Sequence, residues 1–597
     1  MNGNKEVIIN IRVQQDFDNL RATIIRTQAE NKGVGIDFFV YFHEGVYYFD
    51  DSTLKFEKFY AKDSNLYFAP ADPNHNVNLC AKCIEYKDGD EYKSEDSIKE
   101  RKAYLPNYII FPTQEEEVKK KKGNIFKRFW NWLKSLFKKK KDYRVTEKYI
   151  IYPSVWGKEF YPTDEAITVI DESTNLCELK YHKLRNICKV DDITNMWVNV
   201  IQWYRSDYYK VTEIDKQKGT VRFICKDLKK AYGNQWSINQ SLRYSKNETM
   251  PHFRLSNTGM KGTITKANGV INIGIDNIET VEEAQATSFI TMKKCSFGAI
   301  TLDSCTFHSN KAVSDASQAL INIDHLTTNL IEVTNCNFYN IQSDVFRITN
   351  VQGEIDINNC SFMDCWLYGI FVSECKKATL YANAFLYDGL ARTNTASIRC
   401  DAGDMVISDN QFHNYGCSAI MVGTWHGADD KIPCKGIVRN NYIYNEPGYK
   451  IELMDSGAIY IYTQNEFVDV QHNTVENYIG ANSNRGIFCD DGACNFRLYK
   501  NTVINTPNSY SIDSRRVKSL ETDSTSKMYG KSTNINNYIG YNTVDGPIKF
   551  EGNAERPDAP CTYSPNTRLN GTKGDNIISN VVEIEVEDDG IVCGVKK

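Results

Sequence analysis

The chain has 597 residues, a formal net charge of −5 and an aromatic content of 12%. This near-neutral balance lacks the basic surplus of a nucleic-acid-binding protein, so we expect no nucleic-acid partner. No stretch of about 18 consecutive apolar residues is present, and the N-terminal segment MNGNKEVIINIRVQQDFDNL lacks the apolar core of a signal peptide. The localisation stays open between cytoplasm, phage particle and export after removal of a leader.

Residues 1–60 are predicted to cap the repeats that follow. Leu20, Ile24 and Ile25 recur at helical spacing within 16–31, and the segment GVGIDFFVYFHEGVYYF then alternates like strands. Because a stack of repeats exposes its first unit, a short helix followed by strands is a suitable cover.

Residues 61–258 show mixed strand patterns and are predicted to form an inserted β-rich subdomain. Within it, YYKVTEIDKQKGTVRFICKDL predicts a hairpin that turns at Lys218 and Gly219. Cys80 and Cys83 form one CAKC pair, and a zinc site of this kind needs a second pair, so we predict no metal. No motif indicates a cofactor, and none is expected.

A basic amphipathic segment, VKKKKGNIFKRFWNWLKSLFKKKK, occupies 118–141 within this insertion. On a helix its apolar side chains share one face, which includes Phe126, Phe129, Trp130 and Leu133. Eleven positive charges with no acidic residue among them favour an anionic surface, so the segment predicts contact with a membrane interface. A helix docked on its own protein with solvated lysines is the alternative.

A repeat with a Cys or Asn anchor runs through residues 259–550. Its copies include IEVTNCNF, IDINNCSF, MVISDNQF and VDVQHNTV, and the anchors are Cys295, Cys305, Cys336, Cys360, Asn383, Asn410, Asn441, Asn473 and Asn501. From Cys305 onward the anchors are 31, 24, 23, 27, 31, 32 and 28 residues apart, which is typical of one strand-rich coil per interval. The pattern predicts an all-β fold, with a right-handed parallel β-helix at 259–550 and a C-terminal tail or cap at 551–597.

The anchors predict two kinds of stack inside this solenoid. Asn tolerates a left-handed backbone and can hydrogen-bond the Asn residues of neighbouring coils. The Cys anchors predict a buried column of small apolar groups rather than disulfides, because a large repeat fold does not need covalent staples. The spacing of ten residues from Cys295 to Cys305 is too short for a full coil, and the repeat pattern does not place it.

Acidic motifs concentrate in residues 423–516, where the chain reads GTWHGADDK, ELMDSGAIYIY, NRGIFCDDGACN and SIDSRR. DSGAIY followed one coil later by RGIFCDDG resembles the right-handed β-helix glycoside hydrolases, in particular glycoside hydrolase family 141. The resemblance implies a glycosidase and carries the family's two acidic positions onto Asp455 and onto Asp490 and Asp491. A glycosidase needs two carboxyl groups beside the scissile bond. The alternative is that these residues cap a strand and form a turn.

Register within the repeat offers a second pair of acids. Ile459 and Ile487 each precede their anchors by 14 residues, so their strands are predicted to stack. Tyr462, Asp490 and Asp430 each precede an anchor by 11 residues. Asp430 is then about 9.6 Å from Asp490 across two coils, which suits an inverting pair. The candidate substrate-binding residues are His426, Asp430, Tyr460, Tyr462, Arg485 and Arg516.

Three functional classes remain open. The leading one is a glycoside hydrolase that acts on a complex polysaccharide along the groove of the solenoid. The second is a polysaccharide lyase, in which Arg485 or His426 would act as the base or neutralise the carboxylate of a uronate. The third is a non-catalytic, tailspike-like protein that binds glycans. An unsaturated product, detected by ultraviolet absorbance, separates the lyase from the hydrolase.

Overall fold

A computed structural model describes three groups of residues in this chain. The first group is 4–81. The second consists of separate segments at 146–151, 167–171, 173–180, 197–201, 206–215, 217–218, 220–224, 252–256, 260–267 and 270–275. The third extends from 288 to 584, with gaps at 309–318, 340, 342, 364, 366, 387, 390–394, 424–433, 446–455, 463–464, 479–484, 491, 507–509, 515–533, 556 and 570–575.

Contacts between residues divide the chain into two compact units. The first contains Met1–Ile84, Gln202–Ser206 and Gln285–Lys597, and the second contains Glu85–Ile201 and Asp207–Ala284. The two units differ in strand direction, because the first is built from parallel strands and the second from antiparallel ones.

Three long parallel sheets, here called A, B and C, build the first unit. In hydrogen-bonding order, the described strands of sheet A are Lys5–Ile11, Ile36–Phe42, Asn65–Pro70, Ala299–Asp303, Leu330–Thr334, Glu354–Asn358, Lys377–Tyr381, Asp404–Ser408, Cys434–Arg439, Asn465–Gln471, Phe496–Tyr499, Tyr538–Gly540, Cys561–Tyr563 and Val581–Glu583. Those of sheet B are Gly45–Phe49, Val77–Ala81, Thr306–His308, Asn337–Tyr339, Ser361–Met363, Ala384–Leu386, Gln411–His413, Tyr442–Tyr444, Thr474–Glu476, Thr502–Ile504, Thr543–Val544 and Thr567–Arg568.

Sheet C supplies the first strand of each coil. Its described strands are Leu54–Glu57, Ile290–Phe297, Ala319–Thr327, Asp344–Val351, Ile370–Ser373, Ala396–Asp401, Ser418–Val422, Gly457–Ile461, Arg485–Cys489, Ile512–Ser514, Ile548–Glu551 and Ile577–Ser579. The short strand Tyr60–Ala61 pairs with the end of Ile290–Phe297. From Ile290 onward the chain visits sheets C, A and B in turn. This order confirms the predicted parallel β-helix.

Columns of similar side chains, one from each coil, fill the interior of the solenoid. In sheet B, Phe307, Phe338, Phe362, Phe385 and Phe412 stack with ring centroids 5.2, 5.0, 4.5 and 4.9 Å apart. The isoleucine column of sheet C consists of Ile290, Ile321, Phe346, Ile370, Ile398, Ile420, Ile459, Ile487, Ile512 and Ile548. The predicted stacking of Ile459 on Ile487 is thereby confirmed. Because strand side chains alternate between faces, the neighbours of this column point away from the core.

A ladder of buried asparagines holds the corner between sheets A and B. Each side-chain Nδ2 donates to the Oδ1 of the next coil's asparagine at 2.9–3.1 Å, along the series Asn383, Asn410, Asn441, Asn473, Asn501, Asn542 and Asn566. The predicted stacking is therefore confirmed. The left-handed backbone, predicted at the anchor, lies one residue earlier, as at Asn440 and His472 with φ of +55°. That residue turns the corner, and the anchor then points inward.

The four cysteine anchors do not form one column, contrary to the prediction. Cys305, Cys336 and Cys360 share the corner of the asparagine ladder. Cys295 instead pairs with Leu326 in sheet C, at the corner that precedes sheet A. The nine residues between Cys295 and Cys305 therefore contain the sheet A strand of a single coil. All four side chains are buried free thiols.

Two short helices cover the core of the first coils. They span Gln14–Asp18 and Leu20–Glu30, directly after the first strand of sheet A. Phe17 is fully buried, and its ring centroid lies 5.6 Å from that of Phe42 and 6.3 Å from that of Phe289. Apolar side chains that would otherwise face water at the end of the stack are thus packed against a helix.

The solenoid has different limits from those predicted. Asn65–Pro70 and Val77–Ala81 are strands of sheets A and B, so a coil forms before the insertion begins. These strands lack the Cys or Asn anchor, and the repeat pattern therefore does not reveal them. At the other end, Cys561–Tyr563 and Val581–Glu583 continue sheet A beyond residue 550.

The second unit is also rich in strands, which are antiparallel. One sheet has the order His252–Ser256, Trp197–Ile201, Ser206–Asp215, Thr220–Ile224, Leu176–Lys180 and Ile167–Asp171, and another has Val270–Ile275, Met260–Ala267 and Thr146–Ile151. Asp215 pairs with Thr220, which confirms the hairpin predicted at Lys218. Within the described ranges, no helix is both long enough and apolar enough to span a membrane.

Candidate functional site on the outer face of sheet C

Two rows of outward-facing positions cross the strands of sheet C. The first outer row follows the isoleucine column by one residue and consists of Thr291, Asn322, Arg347, Phe371, Arg399, Met421, Tyr460, Phe488, Asp513 and Lys549. The second outer row lies two residues further along each strand and contains Lys293, Asp324, Thr349, Ser373 and Asp401. Tyr462 and Asp490 continue it past the strand ends, because their backbone N–H groups donate to Val422 O and Ile461 O.

The first outer row changes character along the solenoid. Its early members, Thr291 and Asn322, are half-buried polar residues, whereas the row from Arg347 to Asp513 carries guanidinium groups, aromatic rings and a carboxyl group. Several of these side chains are buried although they point away from the core; Phe488 is 0% exposed. Aromatic rings and charged groups therefore lie side by side on this face, and the half-buried members of the two rows, such as Arg399 and Tyr462, are the ones that remain partly open to solvent.

Asp490 lies on this surface and is held by an aromatic cluster. The hydroxyl of Tyr460 donates a hydrogen bond to Asp490 Oδ2. The ring centroid of Tyr460 is 4.9 Å from that of Tyr462 and 5.3 Å from that of Phe488, so the donor is fixed by its neighbours. Burial raises the pKa of Tyr462 to about 12; Arg399 opposes this rise and Asp490 adds to it. Tyr462 therefore keeps its proton at neutral pH and can donate a hydrogen bond.

Arg485 forms a buried ion pair with Asp513 in the next coil. Its Nε donates to Asp513 Oδ2 at 2.9 Å, and the two residues are 4% and 0% exposed. The guanidinium carbon also lies 3.9 Å from the ring centroid of Phe488. The charge of Arg485 is thereby neutralised within the protein, where the pair links two coils. A contact between Arg485 and substrate stays a prediction.

Arg399 lies between two aromatic rings of the same surface. Its guanidinium carbon is 5.1 Å from the ring centroid of Phe371 and 5.2 Å from that of Tyr462. Burial by itself lowers the pKa of Arg399, but the neighbouring Tyr462, Tyr368 and Asp401 outweigh this effect, so the pKa is raised. Arg399 is therefore a permanent positive charge at the edge of the aromatic cluster.

Sequence reasoning missed Arg399, Phe488 and Asp513. A signal was present, because the segments SIRCD, AIYIY, GIFCD and SIDSR align on the isoleucine column and the third residue of each is the outward one. Aligning the sheet C segments with one another, instead of counting back from the anchors, would have placed Arg399, Phe488 and Asp513 in one outward row. Gly457 of the DSGAIY motif has a packing role, since a Cβ at this position would lie 2.7 Å from the Cβ of Phe488.

The intervals between the strands of sheet C and those of sheet A vary in length along this surface. Early coils use one to three residues, as at 328–329 and 402–403, whereas the later intervals are 423–433, 462–464, 490–495 and 515–537. Insertions into a solenoid map to loops on one face, which is often the binding face. Three of the four later intervals are longer than those of the early coils, which favours this edge of sheet C as a binding face.

Only part of the predicted site lies within the described residues. Tyr460, Tyr462, Arg485 and Asp490 belong to the surface described above. Outside the described residues are Asp455, Asp491, His426, Asp430 and Arg516, together with Phe126, Phe129, Trp130 and Leu133 of the basic segment. In the part of the chain that is described, no cluster of three His, Cys, Asp or Glu side chains could hold a metal ion.

The pairing of the strands of sheet C defines which residue lies at the level of Tyr462. Val422 pairs with Ile461, so Gly423 occupies that level. Asp430 lies outside the described residues, and its pairing with Asp490 stays a prediction.

Comparisons with known proteins agree with this architecture. Residues 288–467 match the model of the right-handed β-helix region. A solved structure described as a glycoside hydrolase aligns with 96% of this chain and 96% of its own, at a TM-score of 0.42 and 10% identity. No curated protein matches the sequence. The family match supports the right-handed sense of the coil, and the structural likeness is too low to transfer an activity.

Proposed function

We propose that this protein is a carbohydrate-active β-helix protein and that it hydrolyses glycosidic bonds with Asp490 as one of its two carboxyl groups. The observation that carries the proposal is the position of Asp490. Its carboxyl group receives the Tyr460 hydroxyl hydrogen bond on the outer face of sheet C, within a cluster of aromatic rings. A sugar chain lying across the coils would place a glycosidic oxygen beside this group.

The second carboxyl group must lie within a limited distance of Asp490. Asp401 is in the same outer row but three coils away, about 14 Å at the usual strand spacing. That separation exceeds the roughly 6.5–9.5 Å of an inverting pair. Asp513 is bound to Arg485 in a buried ion pair and is 0% exposed, so its carboxyl group is not open to a substrate. These exclusions favour Asp455 or Asp491, the acids that the resemblance to family 141 indicates.

A lyase mechanism is less well supported. A lyase needs a base that removes a proton beside a uronate, and Arg485 was one of the two residues considered for it. A guanidinium group paired with a buried carboxylate is stabilised in its protonated form. Arg485 is in that position against Asp513. Hydrolysis through carboxyl groups therefore agrees better with this surface.

Substitution of the two acids tests the proposal. Asp490→Asn and Asp455→Asn should each abolish release of reducing ends from a panel of polysaccharides, because an amide keeps the shape of the side chain but cannot transfer a proton. Thermal unfolding should be nearly unchanged. Asp404→Asn is the matched control, since Asp404 is exposed in sheet A. Full activity of Asp490→Asn, or glycan binding by wild type without any product, would contradict hydrolysis, and an unsaturated product would indicate a lyase.

A further inference from the structure

Among the described residues, three arginines lie on the outer face of sheet C, and they differ in their partners. Arg347 is paired with Asp344, which accepts a hydrogen bond from Arg347 Nε at 2.7 Å. Arg485 is paired with Asp513. Arg399 has no carboxylate within ion-pair distance among the described residues, and its Nε lacks a hydrogen-bond acceptor there.

Aromatic rings position the guanidinium group of Arg399. The rings of Phe371 and Tyr462 lie on either side of it, and each can attract a cation through its face. Neither ring accepts hydrogen bonds in the guanidinium plane. Tyr368 contributes one side-chain hydrogen bond to the guanidinium group, and Nε has no acceptor among the described residues. The donors that Tyr368 does not occupy fit the paired oxygens of a carboxylate or a sulfate.

The nearest acid on this face does not satisfy Arg399 by an ion pair. Asp401 lies two residues along the same strand, and its Oδ1 accepts the backbone N–H of Glu374 at 3.1 Å, in the preceding coil. Arg399 is also aligned with the proposed reaction centre, because Met421 and Tyr460 follow it in the first outer row. Tyr460 is two coils away, which corresponds to about 9.6 Å.

We propose that Arg399, bracketed by Phe371 and Tyr462, binds an anionic group of the glycan, so that the substrate is an acidic polysaccharide bearing uronate or sulfate. This inference rests on the proposed function, because it assumes that a glycan lies along the outer face of sheet C. It adds the charge of the substrate and a subsite two coils from Tyr460. The planar pairs of donors on Arg399 supply the selectivity.

A glycan array tests the subsite independently of catalysis. The probes are oligogalacturonides, the same oligosaccharides after reduction of their carboxyl groups, and sulfated galactans with their desulfated forms. Wild type should bind at least one acidic probe about tenfold or more tightly than its neutral counterpart, as expected for charge-assisted hydrogen bonds. This preference should weaken as salt rises. Selectivity for the carboxylated or the sulfated series identifies the anion.

Three variants complete the experiment. Arg399→Gln should lose the preference for the acidic probe and keep its affinity for the neutral one, whereas Arg399→Lys should retain part of the preference because it keeps the charge but not the planar donors. Arg439→Gln, an exposed arginine of sheet A, is the matched control and should bind like wild type. Equal binding of acidic and neutral probes by wild type, failure to bind any acidic probe, or equal losses for both probes in Arg399→Gln would overturn the inference.

The array also separates this inference from the proposed hydrolysis. Asp490→Asn should keep the acidic preference of wild type, because Asp490 lies three coils after Arg399 along the outer rows, about 14 Å at the usual strand spacing. If Asp490→Asn keeps both hydrolysis and the preference, the role of Asp490 fails while the anion subsite stands. If hydrolysis depends on Asp490 but no charge preference exists, the subsite fails alone.

Discussion

The corner between sheets A and B and the outer face of sheet C use the same coil geometry in opposite ways. At the corner, every coil from Asn383 to Asn542 places the same side chain at the same point, and each amide bonds to the next. On the outer face, neighbouring coils present different groups, such as Arg399, Tyr460 and Asp513. At the corner, identical side chains satisfy each other's hydrogen bonds from coil to coil. On the outer face, different side chains place charged and aromatic groups side by side.

The largest effect should come from the ion pair of the outer face. Asp513→Asn leaves Arg485 buried without its carboxylate, which should lower the free energy of unfolding by about 3–5 kcal/mol. Chemical denaturation followed by circular dichroism measures this change. A large loss of stability would show that the outer face of sheet C, like the asparagine corner, contains buried polar groups that stabilise the fold.

The double variant Asp513→Asn with Arg485→Met is the control for that experiment. Removing both charges relieves the unpaired guanidinium, so the double variant should regain part of the stability lost in Asp513→Asn. A loss in Asp513→Asn below about 1 kcal/mol would instead place the pair among weak surface interactions.

A break in the asparagine ladder should have a slightly smaller effect. Asn441→Ala removes the acceptor for Asn410 and the donor to Asn473 and to Ile407 O, leaving buried polar groups without partners. Each such group costs about 1–3 kcal/mol, so we expect a loss of about 2–4 kcal/mol. The denaturation midpoint should fall while the glycan selectivity of folded protein persists. Unchanged stability would mean that the repeat is a record of ancestry and not a source of stability.

Tyr460→Phe tests how the outer face positions its acid. The substitution keeps the ring that packs on Phe488 but removes the hydroxyl that donates to Asp490. We expect kcat to fall by about tenfold or more with KM little changed. The acidic limb of the pH profile of kcat should move to higher pH, because the carboxyl group loses a hydrogen bond to its charged form. A change confined to KM would assign Tyr460 to substrate binding, and an unchanged profile would contradict the positioning role.

The same contrast explains how far the sequence could predict this protein. The ladder repeats one residue type once in every coil, so its anchors predicted the coils and the stacking of Ile459 on Ile487. The outer rows repeat no residue type, and an interval of variable length separates them from the anchors. Counting back from the anchors therefore does not define the register of the outer rows, as the position of Gly423 at the level of Tyr462 illustrates. Arg399 and Asp513 emerge only when strands are paired in three dimensions. The resemblance to a known motif did lead to Asp490, which lies on this surface.

The smallest expected effect is a gain in stability at the residue that turns the corner. Ala382 precedes the anchor Asn383 and has φ of +54°, a left-handed conformation that is unfavourable for a residue with a Cβ. Ala382→Gly removes that strain but adds freedom to the unfolded chain, so we expect a net gain of about 0.5–1 kcal/mol. Ala384→Gly is the matched control, because Ala384 lies in a sheet B strand and should lose a similar amount. A loss of stability in Ala382→Gly would show that the turning residue has a role beyond its backbone angle, and the corner would then depend on more than the asparagine ladder.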